Sequence, residues 1–236
     1  MSEKVRIMES IKNNVAEIQK RVEKACSRSN RNIDEVTVIA VTKTKPVALL
    51  QNVLDAGCIN IGENKVQEVV EKIPQLEGKK SVHFIGHLQS NKVAKVIPYI
   101  DWLHSIHNEK IANKVNRYAG ECNKKINCLV QVNTSGESSK SGCTPENALA
   151  LCQKVAKKEN VIFKGLMTVG PLTDNEDDIR NSFRQLREIR DTCADFVSYP
   201  LDLSMGMSGD FEIAIEEGAT LIRVGSLIVG NRVYHG

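Results

Sequence analysis

No stretch of this sequence approaches the ~20 consecutive apolar residues of a membrane-spanning helix. The opening MSEKVRIMESIKNN also lacks the uninterrupted apolar run of a secretory signal. The expectation is a soluble, cytoplasmic protein with no membrane partner. Basic residues are interleaved with acids instead of gathered into a stripe, and the net charge is only +3, so nothing marks a nucleic-acid surface. The seven cysteines (Cys26, Cys58, Cys122, Cys128, Cys143, Cys152, Cys193) are odd in number, scattered, and contain no C-x-x-C pair. They read as free thiols in a reducing compartment. His104 and His107 stand three apart, on opposite faces of a strand, and no cysteine or carboxylate cluster completes a metal set, so no metal is expected. The stretch NTSGESSKSG at 133–142 has the wrong glycine and lysine spacing for a Walker loop and reads as a mobile loop.

What is present is an ordinary globular balance, 41% apolar and 26% charged residues over 236 positions, with enough material for a sizeable core. Ile7, Ile11, Val15, Ile18 and Val22 recur at steps of three and four, the stripe of an amphipathic helix. VTVIAVT at 36–42 is too short and too β-branched for a helix and is apolar on both faces, as a buried parallel strand is. Helical stretches then begin near Pro46, Lys65, Asn91, Asn108, Pro145, Glu176 and Gly209, separated by the short runs CINIG, VHFIG, WLHSI, NCLVQV, FKGLMTV, PLDLS and LIRVGS. WLHSI and PLDLS carry the weakest strand signals. Eight strand-then-helix units in about 200 residues, with no linker between them, predict an α/β fold: one TIM-type (β/α)8 barrel domain over 1–236 with an extra N-terminal helix. An open doubly wound sheet is the alternative.

In such a barrel, chemistry belongs at the C-terminal ends of the strands. Lys43 ends the first strand, in V-T-K-T-K-P. Partial burial there would lower its pKa and free the amine to attack an aldehyde and form a Schiff base, although spacing alone also suits a surface lysine. Lys45 has a weaker case of the same kind. In S-M-G-M-S-G-D at 204–210, glycines permit a tight turn before a helix, and Gly225 with Ser226 makes a second small-residue turn after the eighth strand. Loops after strands seven and eight of these barrels often share a phosphate, while Ser208 or Asp210 could simply cap the helix. Arg223 sits in an otherwise apolar strand and needs a partner. Taken alone it is a structural arginine; beside a phosphate turn and a Schiff-base lysine it would face a pyridine nitrogen and leave it unprotonated. His87 reads equally as a packed rim histidine or a ligand contact.

These motifs together resemble the pyridoxal phosphate homeostasis protein family, the small binding proteins related to the barrel domain of alanine racemase. The resemblance is carried by VIAVTKTKP at 38–46, IGENKVQE at 61–68, HFIGHLQSNK at 83–92, KSG at 140–142, GLMT at 165–168, LSMGMSGD at 203–210 and RVGS at 223–226. It implies pyridoxal 5'-phosphate (PLP) as cofactor, Lys43 as its Schiff-base residue, Asn64 near the ring or its hydroxyl, and Arg223 at the ring nitrogen. Ser208 with Gly225 and Ser226 would hold the phosphate, and Ser204 and Met205 would line the ring. The residue after R-V-G is serine where threonine is common in the family.

Two functions follow from the resemblance. One is a non-catalytic carrier that buffers PLP, with PLP-dependent apoenzymes as recipients; the alternative is a PLP-dependent amino-acid racemase. The carrier is favoured because the racemase's second domain, which helps close its site, has no counterpart after Gly236, and for the same reason a monomer is expected. A class I aldolase using the lysine without PLP is a third reading, and no motif favours it.

Overall fold

A computed structural model describes residues 3–137 and 139–230. Helix α1 (Glu3–Arg28) leads into β1 (Thr37–Val41), α2 (Val47–Asp55), β2 (Asn60–Glu63), α3 (Val66–Lys72), β3 (Ser81–Phe84) and α4 (Val93–Val96). The chain continues through β4 (Trp102–Ile106), α5 (Glu109–Glu121), β5 (Ile126–Gln131), α6 (Pro145–Ala156), β6 (Val161–Met167) and α7 (Glu176–Thr192). It ends with β7 (Asp202–Met207), α8 (Phe211–Glu216), β8 (Leu221–Val224) and the short α9 (Ser226–Val229). The strands pair in chain order, all parallel, and β1 closes on β8 in the register Thr37↔Leu221 and Ile39↔Arg223. This is the closed barrel expected from the sequence, and it excludes the open sheet.

Helix α1 packs on α2, α8 and α9, the helices flanking the β1–β8 seam. Ile11, Ile18 and Val22 are buried as the periodicity predicts, each by about 1.5–3 kcal/mol of removed apolar surface. Ile7 is 37% exposed, and the stripe runs on through Ala25 and Cys26 instead, because the helix meets the barrel along its later turns. Arg21 fixes the packing with two bonds to Glu212, at 2.9 and 2.8 Å, and lies over the Phe211 ring.

Two element boundaries move from the sequence reading, one of a strand and one of a helix. The segment S-M-G-M continues β7 through Met207 instead of forming a loop. Its pairing with β8 shifts by one residue between Ser204↔Leu221 and Met207↔Arg223, and Gly206 absorbs the shift at φ +90°. Pro46 has extended backbone and precedes α2 without entering it.

Most buried apolar side chains fill the shell between strands and helices. A smaller cluster of Ile39, Leu129, Met167 and Leu221 joins strands on opposite sides of the barrel, so it lies inside it. Barrels of this kind usually fill that space with branched apolar layers. Here the buried His83, His104, Ser204 and Arg223 take a large share of it. Gly206→Ala should test the bulge: a Cβ there meets the Ala214 Cβ at 2.5 Å as well as a positive φ. We expect a loss of about 3 kcal/mol in urea unfolding, against a change within about 0.5 kcal/mol for Gly209→Ala, whose Cβ meets nothing within 4 Å.

Candidate functional site

The C-terminal mouth of the barrel opens into a cleft of about 540 Å³. Six of the eight residues that the resemblance assigns to the cofactor line it, Lys43, Asn64, Ser208, Arg223, Gly225 and Ser226, and so does Lys45. The other two do not. Ser204 points into the barrel interior, and Met205, on the opposite face of β7, is buried in the shell under the helices. Met207 lines the cleft from the same strand, a consequence of the bulge at Gly206.

Lys43 rides on a turn held from below. Thr42 Oγ1 donates to Glu63 Oε1 at 2.8 Å, and the Thr44 N–H donates to Glu68 Oε2 at 2.6 Å. Thr44 has φ +65°, a left-handed conformation costly for a β-branched residue, and this hydrogen bond helps hold it. Lys72 completes the clamp, reaching the Thr42 carbonyl, Glu63 and Glu68. Glu63 is fully buried, and burial raises its pKa against the pull of Lys72. For Glu68, desolvation pushes upward, but Lys72 and the Thr44 N–H outweigh it and hold the carboxyl below its usual range.

Asn64 follows β2, and its Oδ1 is buried without a hydrogen-bond partner among the described residues. Gly86 makes room behind it, since a Cβ there would meet the Asn64 carbonyl oxygen at 2.1 Å. Beyond β7 and β8 the two small-residue turns meet, with the Gly225 N–H donating to Ser208 Oγ at 3.3 Å. Asp210 precedes α8 without a side-chain cap to that helix; it accepts from the Met207 N–H at 2.6 Å instead.

Arg223 is 4% exposed and pulled down to about 10 by burial, with Asp210 opposing the shift. It therefore remains a cation at neutral pH. It donates from Nη1 to Ser204 Oγ at 2.6 Å and from Nη2 to the Thr168 carbonyl at 2.8 Å. Ser204 Oγ lies 2.9 Å from His104 Nδ1, His104 Nε2 lies 2.9 Å from His83 Nδ1, and His83 Nε2 lies 3.2 Å from Asn60 Oδ1. Strands β4 and β7 are not neighbours, so the His104–Ser204 contact crosses the barrel. Burial pulls His83 down to about 3 and His104 well below its usual range, the latter helped by His83 and Arg223. His87 and His107 meet at the rim, ring centroids 4.7 Å apart. No group of three or more metal-ligating side chains occurs among the described residues.

The clamp and the histidine chain escaped the sequence reading. The only sequence signals were the Glu68–Lys72 spacing of four and a carboxylate ending a strand at Glu63.

Residues 8–233 match the alanine racemase N-terminal domain family. The chain is 38% identical over 230 residues to a pyridoxal phosphate homeostasis protein of Haemophilus influenzae, covering 95% of this chain and 97% of the relative. It belongs to the pyridoxal phosphate homeostasis protein family. PipY of Synechococcus elongatus, solved with PLP bound, superposes with a TM-score of 0.77 at 31% identity over 89% of this chain and all of its own. Alanine racemase of Clostridium difficile shares the fold, with a TM-score of 0.77 at 13% identity, over 96% of this chain and 61% of its own.

Two predictions follow from the buried charges. Lys72→Met leaves Glu63 and Glu68 unpaired and should cost about 3–5 kcal/mol in urea unfolding at pH 7. The unfolded chain protonates both interior histidines as pH falls through 6.5, while the folded rings stay neutral. The unfolded state then binds more protons, so below pH ~6 stability should fall by about 1.4 kcal/mol per pH unit for each histidine. Urea midpoints between pH 7.5 and 5 should show that slope, reduced in His83→Gln.

Proposed function

We propose that this chain binds PLP with the aldehyde held on Lys43 and acts as a carrier that buffers the cofactor. The observation behind the reading is the convergence on one cleft of a half-buried lysine from β1, a buried guanidinium from β8 and the joined turns at Ser208 and Gly225–Ser226. Bound PLP supplies an aldehyde that condenses reversibly with a primary amine. The protein residues bind and orient it. The clamped turn aims Lys43, the unpartnered Asn64 Oδ1 is an acceptor for the ring hydroxyl, and Ser208, Ser226 and the Gly225 backbone offer small polar groups to the phosphate. Arg223 has no acceptor and keeps its proton, so it donates to the ring nitrogen and cannot be donated to. That leaves the ring a poor electron sink and suits storage better than turnover.

The same cleft bears on whether the protein is an enzyme. Racemisation needs an acid–base group on each face of the reacting carbon. Among the described lining residues, Lys43 and Lys45 are on the β1 turn, and no carboxylate, histidine, tyrosine or cysteine is present. Similarity along nearly the whole length of proteins named for PLP homeostasis favours the carrier as well. We place the whole chain in one PLP-binding unit, monomeric and cytoplasmic, passing PLP to PLP-dependent apoenzymes. The free cysteines fit a reducing compartment, and no described helix is long and apolar enough to cross a membrane.

Borohydride reduction after incubation with PLP tests the site. Wild-type protein should lose a visible band and carry a phosphopyridoxyl group on Lys43 by peptide mass spectrometry, and Lys43→Ala should show neither. A reduced adduct on another lysine, or none, would refute the assignment. Mixing the loaded protein with an amino acid of one hand in deuterated water tests the carrier role, with neither exchange nor inversion expected.

A further inference from the structure

The interior hydrogen-bond chain has one direction in which every proton finds an acceptor. A guanidinium only donates, so Ser204 Oγ accepts from Arg223 Nη1 at 2.6 Å, and its own proton must point elsewhere. The partner within reach is His104 Nδ1, at 2.9 Å, which must then be unprotonated. A neutral imidazole carries its proton on the other nitrogen, so His104 Nε2–H donates to His83 Nδ1. His83 Nε2–H in turn donates to Asn60 Oδ1 at 3.2 Å, with Ser81 Oγ at 3.3 Å. Every donor meets an acceptor in that order. The reverse order would leave the Ser204 hydroxyl proton without an acceptor among the described residues and set an unprotonated His83 Nε2 against Asn60 Oδ1. Trp102 stacks on His83 at 5.3 Å and 13°, and its bulk keeps the ring in plane.

We propose that His104 and His83, anchored at Asn60, are positioning residues for Arg223, locking the Ser204 hydroxyl as an acceptor so that the guanidinium presents a fixed edge to the cleft. The two committed N–H groups, to Ser204 and Thr168, leave the rest of the fork for a ligand. The chain spans β8, β7, β4, β3 and β2 and ends at the first residue of β2, so an orientation needed at the mouth is set by a side chain four hydrogen bonds away. The ligand half of this inference rests on the PLP reading, in which the edge meets the ring nitrogen; the chain itself does not.

The test has two independent arms. In protein without PLP, 15N-histidine NMR should show His83 and His104 as Nε2–H tautomers with constant shifts from pH 5 to 9. An Nδ1–H tautomer, or titration in that range, overturns the chain. In the second arm, PLP labelled with 15N in its ring is bound to wild type, His104→Leu and His104→Gln. The leucine variant removes the acceptor for Ser204, whereas glutamine can supply one. His104→Leu should shift the ring-nitrogen resonance and weaken PLP binding about tenfold, the loss of roughly one charge-assisted hydrogen bond. His104→Gln should restore both toward wild type. A folded His104→Leu with wild-type shift and affinity overturns the positioning role, as does a glutamine variant no better than leucine. If His104→Leu does not fold, Ser204→Ala replaces it under the same criteria. Wild type that binds no PLP refutes the cofactor reading alone, and the tautomers still decide the chain.

Discussion

A guanidinium buried inside a barrel is the constraint around which this structure is arranged. An uncompensated interior charge costs several kcal/mol, so each polar atom of Arg223 that faces inward needs a partner supplied by another strand. The Thr168 carbonyl comes from the end of β6 and the Ser204 hydroxyl from β7. The one-residue bulge at Gly206 lets β7 turn both Ser204 and Met207 toward the inside, one to the arginine and one to the cleft. The hydroxyl then commits His104, which commits His83 and Asn60. Space that other barrels fill with valine and isoleucine is here occupied by neutral imidazoles, because a guanidinium needs an acceptor and a methyl group is none.

The neighbouring wall of the cleft solves a similar problem differently. Glu63, Lys72 and Glu68 form a buried ion cluster whose contacts go to one another and to a backbone turn. Replacing the cluster by apolar side chains could leave stability little changed, since burying three charges costs about as much as their attraction returns. It would not, however, hold Thr44 in a left-handed conformation. The cluster's contribution is geometric: it sets where the T-K-T-K-P turn leaves the barrel and so where the Lys43 amine can reach. Arg223 and Lys43 approach the cleft from adjacent strands, β8 and β1, each held by a polar network lying below the mouth.

Several parts of this arrangement were legible in the sequence. Lys43, Ser208, Arg223, Gly225 and Ser226 stood out because charged and small residues gather at the strand ends of one barrel rim, although Lys43, Ser208 and Arg223 taken singly each also suit a structural role, and all five line one cleft. Asn64 came from family resemblance. Ser204 and Met205 did too, but strand alternation sends the first into the interior and the second into the helical shell, a result that hinges on where the bulge falls. His104 carries no metal-ligand signal in the sequence, and its partner is a serine one hundred positions away that no local spacing reveals. His83 lay inside a motif recognised as a block, with nothing to say that its ring turns inward.

The sequence by itself determined the alternation of strands and helices, the barrel and the strand ends at which polar residues collect, because periodicity and burial act over a few neighbouring residues. Only the tertiary structure decided which polar residues meet. Those contacts join strands that are distant in the chain, depend on the register of each pair and on a single glycine bulge, and follow the demand of one buried cation for acceptors across the barrel.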